Sequence, residues 1–201
     1  MKAAIDLDGV VCDTMALMIN NIESKGFSVV FDRYNPYIEG VSDVSKFIIE
    51  VVTEIYPKQL QLIKPYDKVI EALFNIHKNL GSITFLTARK EKFNESTLEW
   101  LNTYCKIPFE LVNKRSAEKC QFILDNIFDV FVEDRLRTAN ASAELGIKTY
   151  LINRNWNIGR FTHKNVIRVD SLMEFYLRER EIKKVSFMDS LCNESFGIGY
   201  F

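Results

Sequence analysis

Short apolar runs alternate with stretches of helical periodicity along most of this chain. Runs suited to buried strands lie at residues 3–7, 83–86, 109–112, 130–132 and 149–152, each followed by a polar or charged turn and then a helical pattern. That alternation predicts an α/β fold, a parallel sheet with helices on both faces. Asp67 is placed to cap a helix with Val69, Ile70, Leu73, Phe74 and Ile76 inside and Gly81 past its end. Ser116 is placed to cap a second, with Cys120, Ile123 and Leu124 inside, and a third begins near Arg135, carries Leu136, Ala139, Ala143 and Leu145, and stops at Gly146.

Residues 14–64 break the rhythm, because they separate the first strand from the next helix by far more than an ordinary connection. They predict an inserted subdomain. Val44, Phe47, Ile48, Val51, Val52 and Ile55 follow the cap candidates Ser42 and Asp43 at helical spacing, and Pro57 is expected to stop the run. The insert also holds Phe27, Phe31, Tyr34, Tyr37 and Tyr56, core residues by default, although an insertion beside the first strand's carboxyl end is well placed to cover a ligand. The expected division is a core of residues 1–14 and 65–180, an insert of 15–64, and a tail of 181–201.

The remaining composition narrows the function. The chain has 201 residues, 47% hydrophobic, and 26 basic against 27 acidic residues give a formal net charge of -1. No strong field favours a nucleic-acid polymer or an anionic membrane, so a small substrate is expected. Cys12, Cys105, Cys120 and Cys192 show no paired spacing, which fits reduced thiols. No apolar window reaches membrane-spanning length, and a soluble cytoplasmic protein is expected.

The chemistry concentrates at the predicted strand ends. In Ile5-Asp6-Leu7-Asp8-Gly9-Val10, strand residues two apart face the same way, so Asp6 and Asp8 converge. Two such carboxylates repel at neutral pH and call for a cation, a protonated partner or both, and an oxygen-only ligand set favours magnesium over zinc. Gly9 permits the turn that brings backbone close to a ligand. Thr87 ends the second strand run in a hydroxyl suited to a phosphoryl oxygen, beside the backbone of Ala88. Lys119, in the first turn of its helix, or Lys114 before it, supplies positive charge. Glu133 and Asp134 close the fourth run, and either could complete a cation's ligand set; an ion pair with Arg135 or Arg137 is the alternative.

As a set, these residues resemble the motifs of the haloacid dehalogenase (HAD) superfamily of phosphatases. Asp6-Leu7-Asp8-Gly9-Val10 matches the first motif, Thr87 the second, Lys119 the third and Glu133-Asp134 the fourth, over about residues 3–157. The resemblance implies a three-layer Rossmann-like, HAD-like core with a helical cap inserted after the first strand. It implies a magnesium-dependent phosphomonoester hydrolase in which Asp6 forms an aspartyl phosphate and Asp8 is general acid and base, with a pKa well above the ordinary value when substrate is bound. Asp6, the backbone oxygen of Asp8 and an acid of the fourth motif would hold the metal, while Thr87 and Lys119 orient the phosphoryl group.

Within the superfamily, Phe131-Val132-Glu133-Asp134-Arg135 followed by Leu151-Ile152-Asn153-Arg154-Asn155-Trp156-Asn157 resembles the cytosolic 5′-nucleotidases, including the 5′(3′)-deoxyribonucleotidases. Leu86-Thr87-Ala88-Arg89 departs from the Thr-Ser-Pro-like second motif of the latter. A nucleoside monophosphate is therefore the expected substrate, and a sugar phosphate or other small phosphate ester, hydrolysed or passed on by a phosphomutase, the rival. The non-enzyme readings are a phospho-aspartate switch, disfavoured by the acids' positions, and a silent binding protein, which predicts a missing catalytic residue. A dehalogenase would not need Asp8, and a dinucleotide fold would need a Gly-rich first turn. Gly197-Ile198-Gly199 has no helix after it and reads as tail; residues 183–201 are a docking strand, an oligomer contact or a disordered end, and a homodimer is compatible with the second of these. His77 and His163 are isolated and read as structural or surface residues.

Overall fold

A computed structural model describes residues 1–32 and 35–195; the side chains of residues 31, 32, 35, 36, 45, 55–58 and 189–195 lie outside the described set. Six parallel strands form one sheet: β1 (Lys2–Ile5), β4 (Ser82–Thr87), β5 (Glu110–Asn113), β6 (Val130–Glu133), β7 (Thr149–Ile152) and β8 (Val166–Val169), in the order β5-β4-β1-β6-β7-β8. Between β1 and β4 come α1 (Thr14–Ser24), an antiparallel hairpin of β2 (Val29–Asp32) and β3 (Asn35–Ile38), α2 (Val44–Gln59) and α3 (Val69–Asn79). The later helices are α4 (Asn94–Tyr104), α5 (Ser116–Asp125), α6 (Leu136–Glu144) and α7 (Leu172–Ser195).

The three layers follow from alternation along the strands. Ala3, Ile5, Ile83, Phe85, Val130 and Val132 pack on one side with Val69, Leu73 and Ile76 of α3 and Leu172 and Phe175 of α7. Ala4, Leu86 and Phe131 face the other way, onto Cys120 and Ile123 of α5. A strand buried on both faces is mostly apolar, which is why these runs stand out in the sequence, with Thr84 and Thr149 the small polar residues among them. The chain reverses direction across the sheet at β1: β4 and β5 lie on one side of it, β6, β7 and β8 on the other.

Some local expectations need correction. Asp67 does not cap α3; the helix is preceded by Lys68, whose φ of 55° lies in the left-handed region and which makes no side-chain cap bond. Ser116 is the first residue of α5, with Arg115 at the cap position and Glu118 bonding back to the Arg115 N–H at 3.1 Å. Helix α2 passes Pro57 by two residues, since a proline removes one N–H bond and the sixteen-residue helix keeps the rest. Asp43 does cap α2, accepting from the Lys46 N–H at 2.9 Å. Phe74 and Leu124 are exposed, lying off the faces that α3 and α5 bury, and Leu145 is exposed at the cap position just past α6. Residues 183–195 are neither strand nor disordered end but the continuation of α7; residues 196–201, with Gly197-Ile198-Gly199, lie outside the described residues.

The connection between β1 and α3 is fastened at both ends. Val11 O accepts from the Tyr66 N–H at 3.1 Å, Lys64 O accepts from the Asp13 N–H at 2.8 Å, and Trp100 of α4 donates its indole N–H to Ile63 O at 2.9 Å. Inside it, α1 and α2 meet through Asn21 and Gln59, and Phe27, just after α1, sets its ring edge-on to that of Phe47 in α2, 5.1 Å apart. Tyr37 is exposed; the side chains of Phe31, Tyr34 and Tyr56 lie outside the described set.

Candidate active site

The carboxyl ends of β1, β4 and β6 meet where the sheet reverses, the place where open α/β sheets present loops to ligands. A cleft of about 390 Å³ opens there, with Asp6, Asp8, Gly9, Ala88, Lys119, Glu133 and Asp134 in its wall, and Thr14, Met15 and Met18 of α1 opposite.

Asp6 lies one residue past β1, buried, its N–H bonded to Val132 O at 2.9 Å. Its carboxylate meets the Lys119 ammonium at 2.8 Å, and the same ammonium meets Glu133 Oε2 at 3.1 Å. Lys119 reaches both because α5 packs its buried face, including Cys120 and Ile123, against the sheet beside β6. Lys114 instead holds its ammonium over the Phe122 ring, 5.4 Å from the centroid. The lysine brought to Asp6 is Lys119.

Glu133 and Asp134 occupy different positions. Glu133 is wholly buried and both its oxygens are engaged: Oε2 by Lys119, Oε1 by the N–H groups of Asp134 and Arg135, each at 3.1 Å. Asp134 accepts from the Trp156 indole N–H at 2.8 Å through Oδ2 and lies against Gly9. Asn157, fully buried, fixes this corner by donating to Asp134 O at 2.7 Å and Ile152 O at 2.8 Å. Gly9 has a φ of 86°, and a Cβ there would overlap the Asp134 carboxylate, so the turn needs glycine twice over.

Asp8 is tied down by two partners. Its carboxylate is held by Arg89, with Nε at 3.0 Å from Oδ2 and Nη2 at 2.7 Å from Oδ1, and by the Thr14 hydroxyl. Burial works to raise the Asp8 pKa, but the paired guanidinium and the Thr14 hydroxyl outweigh it and leave the acid below its ordinary value. Asp8 therefore rests as an ionised carboxylate. Arg89 itself is buried and also donates to the Thr97 hydroxyl of α4 at 3.2 Å. Thr87 is fully buried; its hydroxyl accepts from the Arg89 N–H at 3.2 Å, and it is Ala88, exposed, that reaches the cleft wall.

Oxygens of Asp6, Glu133 and Asp134 lie within 4.8 Å of one another, and the Lys119 ammonium pairs with the first two. Burial, then the neighbouring Glu133 charge, raises Asp6 well above its ordinary value; burial raises Glu133 as well, and burial with the Asp6 charge pushes Asp134 up to about 6. Burial alone would lower Lys119, yet the Asp6 and Glu133 carboxylates hold it well above its usual range. Three acids facing one base leave an excess of negative charge that a divalent cation would offset, and the all-oxygen donor set suits a hard ion.

Arg89, Thr14, Trp156 and Asn157 join the site although no role for them follows from the sequence alone. Arg89 carried one usable signal, a cation two residues beyond an apolar strand, where burial demands an acidic partner.

No family model matches the chain, and no curated protein sequence does. Solved structures match over most of its length. A β-phosphoglucomutase-like protein from Bacteroides vulgatus superposes with a TM-score of 0.58 at 16% identity, covering 91% of this chain and 88% of its own. A haloacid dehalogenase-like family hydrolase from Streptococcus pneumoniae gives 0.58 at 13% identity, covering 88% and 97%. The fold is that of the haloacid dehalogenase-like hydrolases. The D,D-heptose 1,7-bisphosphate phosphatase of Burkholderia thailandensis shares it, with a TM-score of 0.56 at 13% identity over 88% of this chain and 96% of that one. Among the described residues, no helix of the chain is long and apolar enough to cross a membrane.

Proposed function

We propose that this chain is a magnesium-dependent phosphomonoester hydrolase working through an aspartyl phosphate on Asp6. The observation that carries the reading is the Asp6 carboxylate in the cleft wall, 2.8 Å from a buried lysine and within a three-acid cluster, at the sheet's reversal point. An Asp6 oxygen attacks phosphorus, the bond to the leaving oxygen breaks, and Asp8 gives that oxygen its proton. Water then attacks the same phosphorus, loses its proton to Asp8, and releases Asp6 and phosphate.

Asp6, Asp134 and the backbone oxygen of Asp8 would hold the ion, with Glu133 bracing Lys119 and the Asp134 turn. Bound magnesium would offset charge on the phosphoryl oxygens. Lys119 and the Ala88 backbone would orient the phosphoryl group, with Thr87 behind them. The resting Asp8–Arg89 pair favours the ionised, base form. The acid form needs the added negative charge of bound phosphate ester to raise its pKa.

For the substrate, the loop Asn153-Arg154-Asn155-Trp156-Asn157 supports a nucleoside monophosphate. A sugar phosphate is the second reading, favoured by structural neighbours that include a phosphoglucomutase-like protein and a sugar bisphosphate phosphatase. The test is a phosphate-release panel of both classes, with and without magnesium, on the native protein and Asp6→Asn. Release that needs magnesium and falls at least about a thousandfold in the variant is expected. Release indifferent to both would overturn the mechanism; turnover of sugar phosphates alone would overturn only the nucleotide assignment.

A further inference from the structure

A second cleft, of about 300 Å³, adjoins the first, and Met15 and Trp156 belong to the walls of both. Each volume is at the lower end of the roughly 300–1,000 Å³ of small-molecule sites. A ligand whose phosphoryl group sits at Asp6 has its remainder next to this space.

Its polar groups are few and fixed. Asp13 accepts from the Ala16 N–H at 3.0 Å and the Tyr66 hydroxyl at 3.2 Å, both through Oδ1; Oδ2 makes no hydrogen bond among the described residues. Arg154 donates from Nε to Gly9 O at 2.7 Å and from Nη1 to Asn153 O at 3.2 Å, and its guanidinium stacks 3.9 Å from the Tyr66 ring centroid. Nη2 is left over in the same sense as Asp13 Oδ2. Both residues line the cleft, together with the indole of Trp156 and the exposed Asn155. The cleft thus offers one held acceptor, one held donor, the exposed amide of Asn155, and an apolar surface made by Trp156 with Met15, Ile19 and Ile158.

Those features discriminate. Asp13 and Arg154 set opposite charges side by side in the cleft, so a leaving group charged in either sense is repelled by one of them, and an alkyl or aryl group would desolvate both without returning a hydrogen bond. A neutral ring bearing hydroxyls satisfies both and lays its C–H face on the indole. We propose that this cleft is the leaving-group subsite and takes the hydroxylated ring of a sugar, with Asp13 Oδ2 accepting from ring hydroxyls and Arg154 Nη2 donating to a ring oxygen. The assignment rests on the phosphoryl-transfer reading of the neighbouring cleft. It makes Asp13, Arg154 and Trp156 specificity-determining residues, for a pentose or a hexose ring alike.

The test is calorimetric binding to full-length Asp6→Asn protein with magnesium, using inorganic phosphate, butyl phosphate, ribose 5-phosphate, glucose 6-phosphate and a nucleoside 5′-monophosphate. At least one sugar phosphate is expected to bind at least about tenfold tighter than butyl phosphate, the margin of a charge-assisted hydrogen bond. Adding Asp13→Asn, which retains a good helix cap, should cut that margin to about threefold or less. The pentose and hexose arms identify the ring. Equal affinity for butyl and sugar phosphates would overturn the subsite alone, as would a margin unmoved by Asp13→Asn. Tight binding of the nucleotide without ribose 5-phosphate would show that a base is read, and would also overturn it. Failure of every compound, inorganic phosphate included, would remove the phosphoryl site and the subsite with it.

Discussion

Arg89 holds both carboxylate oxygens of Asp8, across 81 residues of chain, at 2.7 and 3.0 Å. The guanidinium is almost fully buried while the Asp8 side chain is 28% exposed, so the pair is partly shielded from solvent. Truncation as Arg89→Met should cost about 2–4 kcal/mol in urea unfolding at pH 7, slightly less than a fully buried pair broken on one side. The sign follows from the lowered pKa of Asp8. Its contribution is present above the unfolded pKa and lost as pH falls through the folded one, so the gap between variant and native should close below about pH 4. A gap that widened in acid would contradict the pairing.

The three-acid cluster has the opposite dependence. Asp134 is pushed from 3.8 to about 6 in the folded chain, and Asp6 and Glu133 are raised too. Raised acids favour the folded state below their unfolded pKa, and that advantage is lost as pH climbs through the folded value. Without divalent ions, the melting temperature should therefore decline between about pH 4 and 6. Added magnesium should stabilise much more at pH 7.5 than at pH 5, because protonated acids bind it poorly. Thermal melts with chelator and with magnesium at both pH values provide the measurement; equal shifts would count against the cluster as a cation site.

Glu133 and Asp134 should separate under mutation. Asp134→Asn is expected to weaken magnesium binding by at least about tenfold with modest loss of stability. Glu133→Gln strips the charge that faces Lys119 and should cost about 1–3 kcal/mol, with a smaller effect on the ion. Magnesium titration and denaturant unfolding of both variants would settle the assignment, and the reverse ranking would exchange the roles.

Gly9→Ala should cost about 1–3 kcal/mol from backbone strain alone, and the added methyl would also displace the Asp134 carboxylate. Magnesium affinity should fall along with stability. A variant with native affinity and native melting temperature would mean that this turn can open freely.

Much of this arrangement was legible in the sequence wherever burial leaves an unbroken apolar run. Val130-Phe131-Val132 alternates between two packed faces and so could only be apolar. Strand β8 was missed because it is a half-buried edge strand interrupted by Arg168. The bounds of helix α4 were not legible, because Trp100 and Leu101 are its only large buried apolar residues, with Thr97 filling the third buried place. At the site, Asp6, Lys119, Glu133 and Asp134 could be anticipated because each follows or faces a recognisable strand end. Asp8's partner could not, since nothing local joins residue 8 to residue 89. The contact arises only when β1 and β4 pair side by side.

The neck at residues 11–13 and 64–66 also bears on how such a chain can vary. Val11 with Tyr66, and Asp13 with Lys64, close the backbone on itself before the intervening residues begin, and Trp100 clamps Ile63 from the core side. With the neck closed, the polypeptide between its ends is a loop on a fixed base, and doubling its length costs only about 0.6 kcal/mol in closure entropy. Added length is therefore cheapest in the turns between α1, the hairpin and α2, because Ile22, Ile38, Val51 and Leu60 of the same segment are buried in the core cluster that the sheet shares, and exchanging them would open that core.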